Sequence, residues 1–508
     1  MRPILAVCVL IPIGVAGASA QPAASAAQPD APAAYYFMLG RHLEDADKID
    51  DAIAAHKKAI ELEPKSAELR AELAALYARQ DRGRDALQTA EAALQLDSSN
   101  REANRVLGSV YAALSEQRRP FRPGEDPAQY PAKAIAALEK SRRESGFDIN
   151  LELMLGRLYI KTREYDKAIG SLRRVVDDQP GYVEGAMLLS AAQEASGQLP
   201  EAIQTLEGAV EYNPTSSRAL VHLGELYDQQ RHYQDAADAY ARAGAANARV
   251  DVTARRAAAL INAGKAADAR KILEDSVAKK TPPDAAVLYM LSQAQRQLKD
   301  LDAATATAER LKAAYPEDTR AAYLSAQLLQ DRGRTAEAIT AFQDLIKRAP
   351  QDGALVYEYA GLLDKAGRLP DAERALRDLL SKDPLDANAL NSLGYMLADH
   401  GLRLDEAVDL VQRALKVDPG NPSFLDSLGW AYFQQGKIDL ADAPLTQAAE
   451  RLPASSTVQD HLGELRFKQQ RFADAVAAWE KSLAGDGESI DRTKVEKKVR
   501  DARARVRR

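Results

Sequence analysis

Six histidines are scattered along the 508 residues (His42, His56, His222, His232, His400 and His461). None belongs to the HExxH pattern that sets two imidazoles on one helix face. Cys8 is the single cysteine, so no thiol is available to complete a metal site with them. No GxxxxGK[ST] loop is present to cradle a phosphate, no GxGxxG follows a strand pattern, and no GxSxG elbow presents a nucleophile. Carboxylates are plentiful but interleaved with lysine and arginine on polar helix faces, the pattern of solvated surface. These absences predict a protein that is not an enzyme, with no cofactor and no metal. What remains is chemistry of contact. Tyr289, Tyr323 and Tyr357 stand 34 residues apart, Asn391 and Asp426 continue the series, and Tyr395, Trp430 and Phe433 add aromatic surface one helical turn on. Aromatic side chains with a polar tip are common interface anchors, because they bury much area at little entropic cost.

That spacing belongs to the whole chain. Leu39-Gly40 with Ala52, Ala59 and Pro64 returns as Leu155-Gly156 with Ala168 and Pro180, and again as Leu428-Gly429 with Ala441, Ala448 and Pro453. A fixed period of this length means one supersecondary unit stacked many times. Aligned on the small residue at position 8, thirteen units start near 33, 67, 101, 149, 183, 217, 250, 285, 319, 353, 387, 422 and 456. Each predicts two helices around a turn, often with glycine at the break (Gly83, Gly197, Gly264, Gly333, Gly367, Gly436). Pro200 and Pro370 fall just inside the second helix, where a missing N–H costs nothing. A composition of 46% hydrophobic residues with only 6% aromatics suits many closely packed helices. The net charge of −6 implies no general attraction to nucleic acid or anionic membrane.

These residues resemble the tetratricopeptide repeat family over roughly 33–484. The resemblance implies an all-α fold, an α-solenoid of about thirteen helix-turn-helix repeats forming a right-handed superhelix, with first helices lining a concave face. Positions 2, 5, 9 and 12 of those helices would then face the groove. It would place Tyr289, Tyr323, Tyr357, Asn391, Tyr395, Asp426, Trp430 and Phe433 on a partner-binding wall, the tyrosines stacked as a ladder. The corresponding N-terminal positions are mixed (Phe37, Arg41, Ala71, Ala75, Arg105, Leu153, Arg157, Met187, Glu225) and predict a less aromatic stretch. The seventh unit is degenerate, Pro444 predicts a kink, and about fourteen extra residues near 115–131 predict an exposed basic, proline-rich loop with Arg118, Arg119, Pro120, Phe121, Arg122, Pro123 and Tyr130.

The ends carry separate signals. Arg2, the apolar stretch Ile4 to Ala16 and Ala18-Ser19-Ala20 predict a signal peptide over 1–20, and hence export to a bacterial periplasm. Val7 stands where a lipidation motif needs a small residue before its cysteine, so Cys8 is read as part of the apolar stretch. Residues 21–33 read as a flexible Ala/Pro/Gln leader before the array at 34–484. Residues 485–508 form a basic tail in which Val495, Val499, Ala502 and Val506 keep a helical period, predicting a capping helix; its charge also permits peripheral membrane contact.

A narrower resemblance lies in Asn391-Ser392-Leu393-Gly394-Tyr395, Leu404-Asp405-Glu406-Ala407, Leu425-Asp426-Ser427-Leu428-Gly429-Trp430, and Asp460-His461-Leu462-Gly463 with Trp479. These are similar to the C-terminal block of exported bacterial tetratricopeptide proteins, among them the lipoprotein partner of a carboxy-terminal processing protease. The function implied is a non-catalytic periplasmic scaffold whose partners are proteins, with an envelope protease and its substrates among those the resemblance suggests, and no nucleic acid. The alternative is a structural envelope element in polysaccharide or peptidoglycan assembly. A fused glycosyltransferase is not expected, since no unassigned stretch of these residues is long enough to hold one.

Overall fold

The computed structural model describes residues 32–117, 120–142, 146–247, 249, 251–350, 352–487 and 490–506. The expected signal at 1–20 lies outside them, as does most of the 21–33 leader; Ala33 already opens the first helix. Among the described residues the chain is helical without strands. First helices begin at Ala33, Ala67, Arg101, Ile149, Val183, Ser217, Thr253, Ala285, Thr319, Gly353, Ala387, Pro422 and Ser456. Second helices begin at Ile49, Gly83, Tyr130, Tyr165, Leu199, Tyr233, Ala266, Leu301, Thr335, Leu369, Leu404, Ile438 and Phe472. The thirteen expected pairs are therefore present, and only the seventh starts later than its spacing predicts, with a first helix of 10 residues.

The period has a packing cause. A Cβ on Gly156 would lie 2.5 Å from Leu172, one on Gly429 2.5 Å from Leu445, and one on Gly463 2.4 Å from Trp479. Each of these large residues lies sixteen positions after its glycine, on the second helix, and is fully or almost fully buried. Position 8 must be small because a bulky side chain from the paired helix rests on its backbone. Burying each such leucine stabilises the pair by about 1.5–3 kcal/mol. The turn between the helices needs a left-handed residue, supplied by Gly197 (φ 81°) or Gly436 (φ 76°). Gly83 differs from expectation. It is the first residue of its helix, and Asp81 (φ 56°) takes the left-handed position. Side chains cap many first helices, as where Ser66 accepts from the Leu69 N–H and Asp148 from those of Asn150 and Leu151.

The chain forms two compact units, Met1–Val250 and Asp251–Arg508. The first holds six repeats around a core that runs through Leu76, Leu87, Leu138, Leu155 and Leu172 and continues as Leu206, Leu220 and Leu223. Its extra segment is exposed at Pro120, Pro123 and Gly124, as expected, but it is anchored at other points. The Phe121 ring packs against the core, and Arg122 forks onto Glu91 with both Nη atoms at 2.9 Å. Tyr130 is buried at the start of a helix, where its hydroxyl donates to Glu125 and accepts from the Phe121 N–H, both at 2.8 Å. An aromatic ring and a bidentate ion pair hold this segment on the repeat wall; Arg118 and Arg119 lie outside the described residues.

The second unit holds seven repeats and a final helix, Arg492–Val506. Val495, Val499 and Ala502 are buried against Ala475 and Trp479, so the tail caps the last repeat. Val506 is 51% exposed, beyond the end of that contact. The helix Ile438–Arg451 continues across Pro444. The proline frees the carbonyl of Leu440, and because Leu440 is exposed, water can satisfy it. Among the described residues no helix is long and apolar enough to cross a membrane.

Candidate partner-binding groove

Tyr289, Tyr323 and Tyr357 occupy equivalent positions on the first helices Ala285–Gln297, Thr319–Asp331 and Gly353–Lys365, and all three are half-buried. Their connection is polar, not the ring-on-ring ladder expected. Gln293 Nε2 donates to the Tyr289 hydroxyl at 3.2 Å and to Gln327 Oε1 at 3.1 Å. Gln327 Nε2 donates to the Tyr323 hydroxyl at 2.8 Å, and that hydroxyl donates onward to Glu358. Arg296 joins the line through Gln327 and pairs with Asp331. The reason is helix spacing. Neighbouring helix axes lie about 8–10 Å apart, so equivalent rings stand side by side and longer amides bridge them. Two of the rings find separate contacts: Arg320 lies over Tyr289 at 5.8 Å, and Tyr323 meets Phe342 edge-on at 6.3 Å.

Tyr357 donates to both carboxylate oxygens of Asp386, each at 2.6 Å, and Asp386 also caps the next first helix by accepting from the Ala389 N–H at 2.9 Å. Burial, then the bonds to Glu358 and Asp386, hold the phenols of Tyr323 and Tyr357 well above the usual tyrosine value, so both stay protonated donors. Tyr357→Phe is expected to destabilise this junction by about 1–2 kcal/mol, a hydrogen bond to a charged acceptor being lost. Hydrogen exchange at the start of Ala387–Asp399 should speed up accordingly; unchanged protection there would show that the bond carries no load.

The remaining predicted residues lie on later repeats. Asn391 is half-buried, with its Oδ1 buried and without a partner. Tyr395, Asp426, Trp430 and Phe433 come together around His461. Trp430 is only 8% exposed, stacked between Phe433 and His461, and its Nε1 donates to Asp399 at 3.1 Å. Asp426 is buried against His461. Burial, with Asp399 and Asp426 nearby, pushes the Tyr395 phenol far up. The tyrosine line and this cluster are thus two arrangements, and Asn391 lies on the helix that gives the cluster Tyr395 and Asp399.

Sequence reasoning missed several residues here. Gln293 and Gln327 were legible, being 34 apart at position 9. Glu358, Asp386, Asp399 and His461 were not, because each acts across a junction on a residue 29–35 positions away.

The arginines at corresponding positions in the first unit are ion-paired. Arg41 faces Glu72 at 3.5 Å, Arg105 meets Glu102 at 2.5 Å, and Arg157 pairs with Glu184. A cavity of about 650 Å³ is lined by Glu72, Arg105, Arg142, Phe147 and Glu152 among others. In it, Glu152 is buried between Arg142 and Arg174, both at 2.5 Å.

Comparison with known proteins agrees with this architecture. A family model described as tetratricopeptide repeat matches residues 37–101, 153–214, 323–373, 362–422 and 427–489, and a second of the same description matches 194–261 and 260–328. A TPR repeat-containing protein of Pseudomonas aeruginosa is 30% identical over 249 residues, covering 48% of this chain and 36% of its own length. The match thus spans about a third of that relative. Among solved structures, a tetratricopeptide repeat protein from Parabacteroides merdae is 15% identical with a TM-score of 0.40, covering 49% of this chain and 97% of its own. The TPR protein YrrB is 23% identical with a TM-score of 0.33, covering 38% and 92% respectively.

Proposed function

The chain belongs to the tetratricopeptide repeat family, and from that premise we propose that it is a periplasmic adaptor whose second unit captures protein segments along its first helices. A scaffold for protein–protein interaction is what such repeats imply, and no catalytic family is indicated. The observation that carries the finer reading is the line of half-buried tyrosines on three successive repeats, pre-ordered by their glutamine and carboxylate partners. Anchors already held in one geometry lose little entropy when a partner docks. The signal-like residues 1–20 support export, and the C-terminal block's likeness to partners of a processing protease supports delivery of substrates to an envelope protease.

The test is capture from a periplasmic extract on immobilised protein, read by mass spectrometry. Tyr289→Ala, Tyr323→Ala and Tyr357→Ala combined should reduce capture on the order of tenfold or more while helicity is retained. An identical captured set with the triple variant would refute the tyrosine line as the site. Binding to purified polysaccharide or peptidoglycan with no protein captured would favour the structural envelope reading.

A further inference from the structure

Three rings from the last two repeats are stacked face to face. Phe433 lies 5.1 Å from Trp430 at 10°, and Trp430 lies 4.0 Å from the His461 imidazole at 12°. The imidazole is also bonded at its edge. Its Nδ1 is 3.0 Å from each carboxylate oxygen of Asp426, and both residues are only 5% exposed. Trp430 is in turn anchored by Asp399 on Ala387–Asp399. One histidine of the thirteenth repeat therefore touches two residues of the twelfth, Asp426 through its edge and Trp430 through its face. A carboxylate and an indole face both attract a cation.

The surrounding charges favour that cation. Asp426 comes from Pro422–Gln434, Asp399 and the neutral phenol of Tyr395 from Ala387–Asp399, and Asp460 from the histidine's own helix. Lys498 of the capping helix, the cation paired with Asp460, is held by Asp460 at 2.8 Å and Glu464 at 2.6 Å. A neutral imidazole would leave Asp426 as a buried carboxylate without a counter-charge.

We propose that His461, paired with Asp426 and stacked on Trp430, acts as a proton-dependent clamp between repeats 12 and 13, so that losing the imidazolium proton loosens the aromatic stack and the terminal repeat. Burial alone would lower the histidine's pKa, but Asp426 foremost, then Asp460 and Asp399, outweigh it and leave the value above the usual 6.5. Folding then takes up a proton. The clamp's contribution is complete below 6.5 and is lost as pH rises through the folded value.

Full-length protein can be titrated by NMR on its histidine rings, the His461 signal being identified by its absence in His461→Gln. The expected midpoint lies above 6.5, and Asp426→Asn should bring it below 6.5. In a Trp479→Phe background, emission from Trp430 should rise along the same curve, because a stacked imidazolium quenches indole and a neutral imidazole does so far less. Hydrogen-exchange protection of Ser456–Lys468, corrected for intrinsic rates, should weaken over the same range in the native chain and stay level in His461→Gln. Should Trp479→Phe fail to fold, the emission difference between the native chain and His461→Gln serves instead. A midpoint at or below 6.5, or Trp430 emission that stays flat while His461 titrates, overturns the proposal.

Discussion

Replacing Trp479 by alanine is expected to cost about 3–5 kcal/mol, with the loss confined to the C-terminal end. Trp479 is 1% exposed, packs on the backbone of Gly463, and shares a cluster with Val495, Val499 and Ala502 of the capping helix. Phe467 lies 5.7 Å from its ring and Lys498 5.8 Å above it. Removing the indole therefore weakens both the helix pairing within the last repeat and the attachment of its cover. In a stack where each unit contacts only its neighbours, such damage stays local and a single melting temperature describes it poorly. Hydrogen exchange is the suitable measurement. Protection across Ser456–Val506 should fall roughly a hundredfold or more, while Thr319–Asp331 keeps its own. Even protection along the unit would show that the cap is held by something else.

The second large effect concerns the contact that sets the repeat. Leu172→Ala removes a buried side chain and is expected to cost about 2–5 kcal/mol. Gly156→Ala forces a methyl to within 2.5 Å of the same leucine and is expected to cost about 1–3 kcal/mol. Together they should cost less than their sum by about 1 kcal/mol or more, since the new methyl then enters the space the leucine leaves. The second repeat supports this expectation, having alanine at both corresponding positions, Ala74 and Ala90, each fully buried. Urea denaturation of the four proteins closes the cycle. Additive costs would mean that the two helices shift instead of meeting at a fixed distance.

The candidate site was legible in part. Tyr289, Tyr323 and Tyr357 could be read as one line because the repeat brings equal positions to equal places, and the structure puts all three on first helices in the same state of burial. Their hydrogen-bond partners were hidden. Glu358 and Asp386 look like ordinary surface carboxylates until the neighbouring helix is placed beside them. Trp430 read as an aromatic anchor for a partner, yet most of its surface is covered by Phe433 and His461. Nothing in the spacing of His461 distinguishes it from the other five histidines.

The sequence by itself determined the number of helix pairs, their starts to within a few residues, the small residue at position 8 and the buried face of the capping helix. All of these follow from local period and from contacts inside one unit, which the chain repeats often enough to expose. Only the tertiary structure decided which tyrosines meet which carboxylates, that the segment after Gln117 docks through Phe121 and Arg122, and that a histidine lies between Asp426 and Trp430. Those contacts join neighbouring repeats across sequence separations of about one unit. Their geometry depends on how each pair is set against the next, and a one-dimensional pattern does not record that.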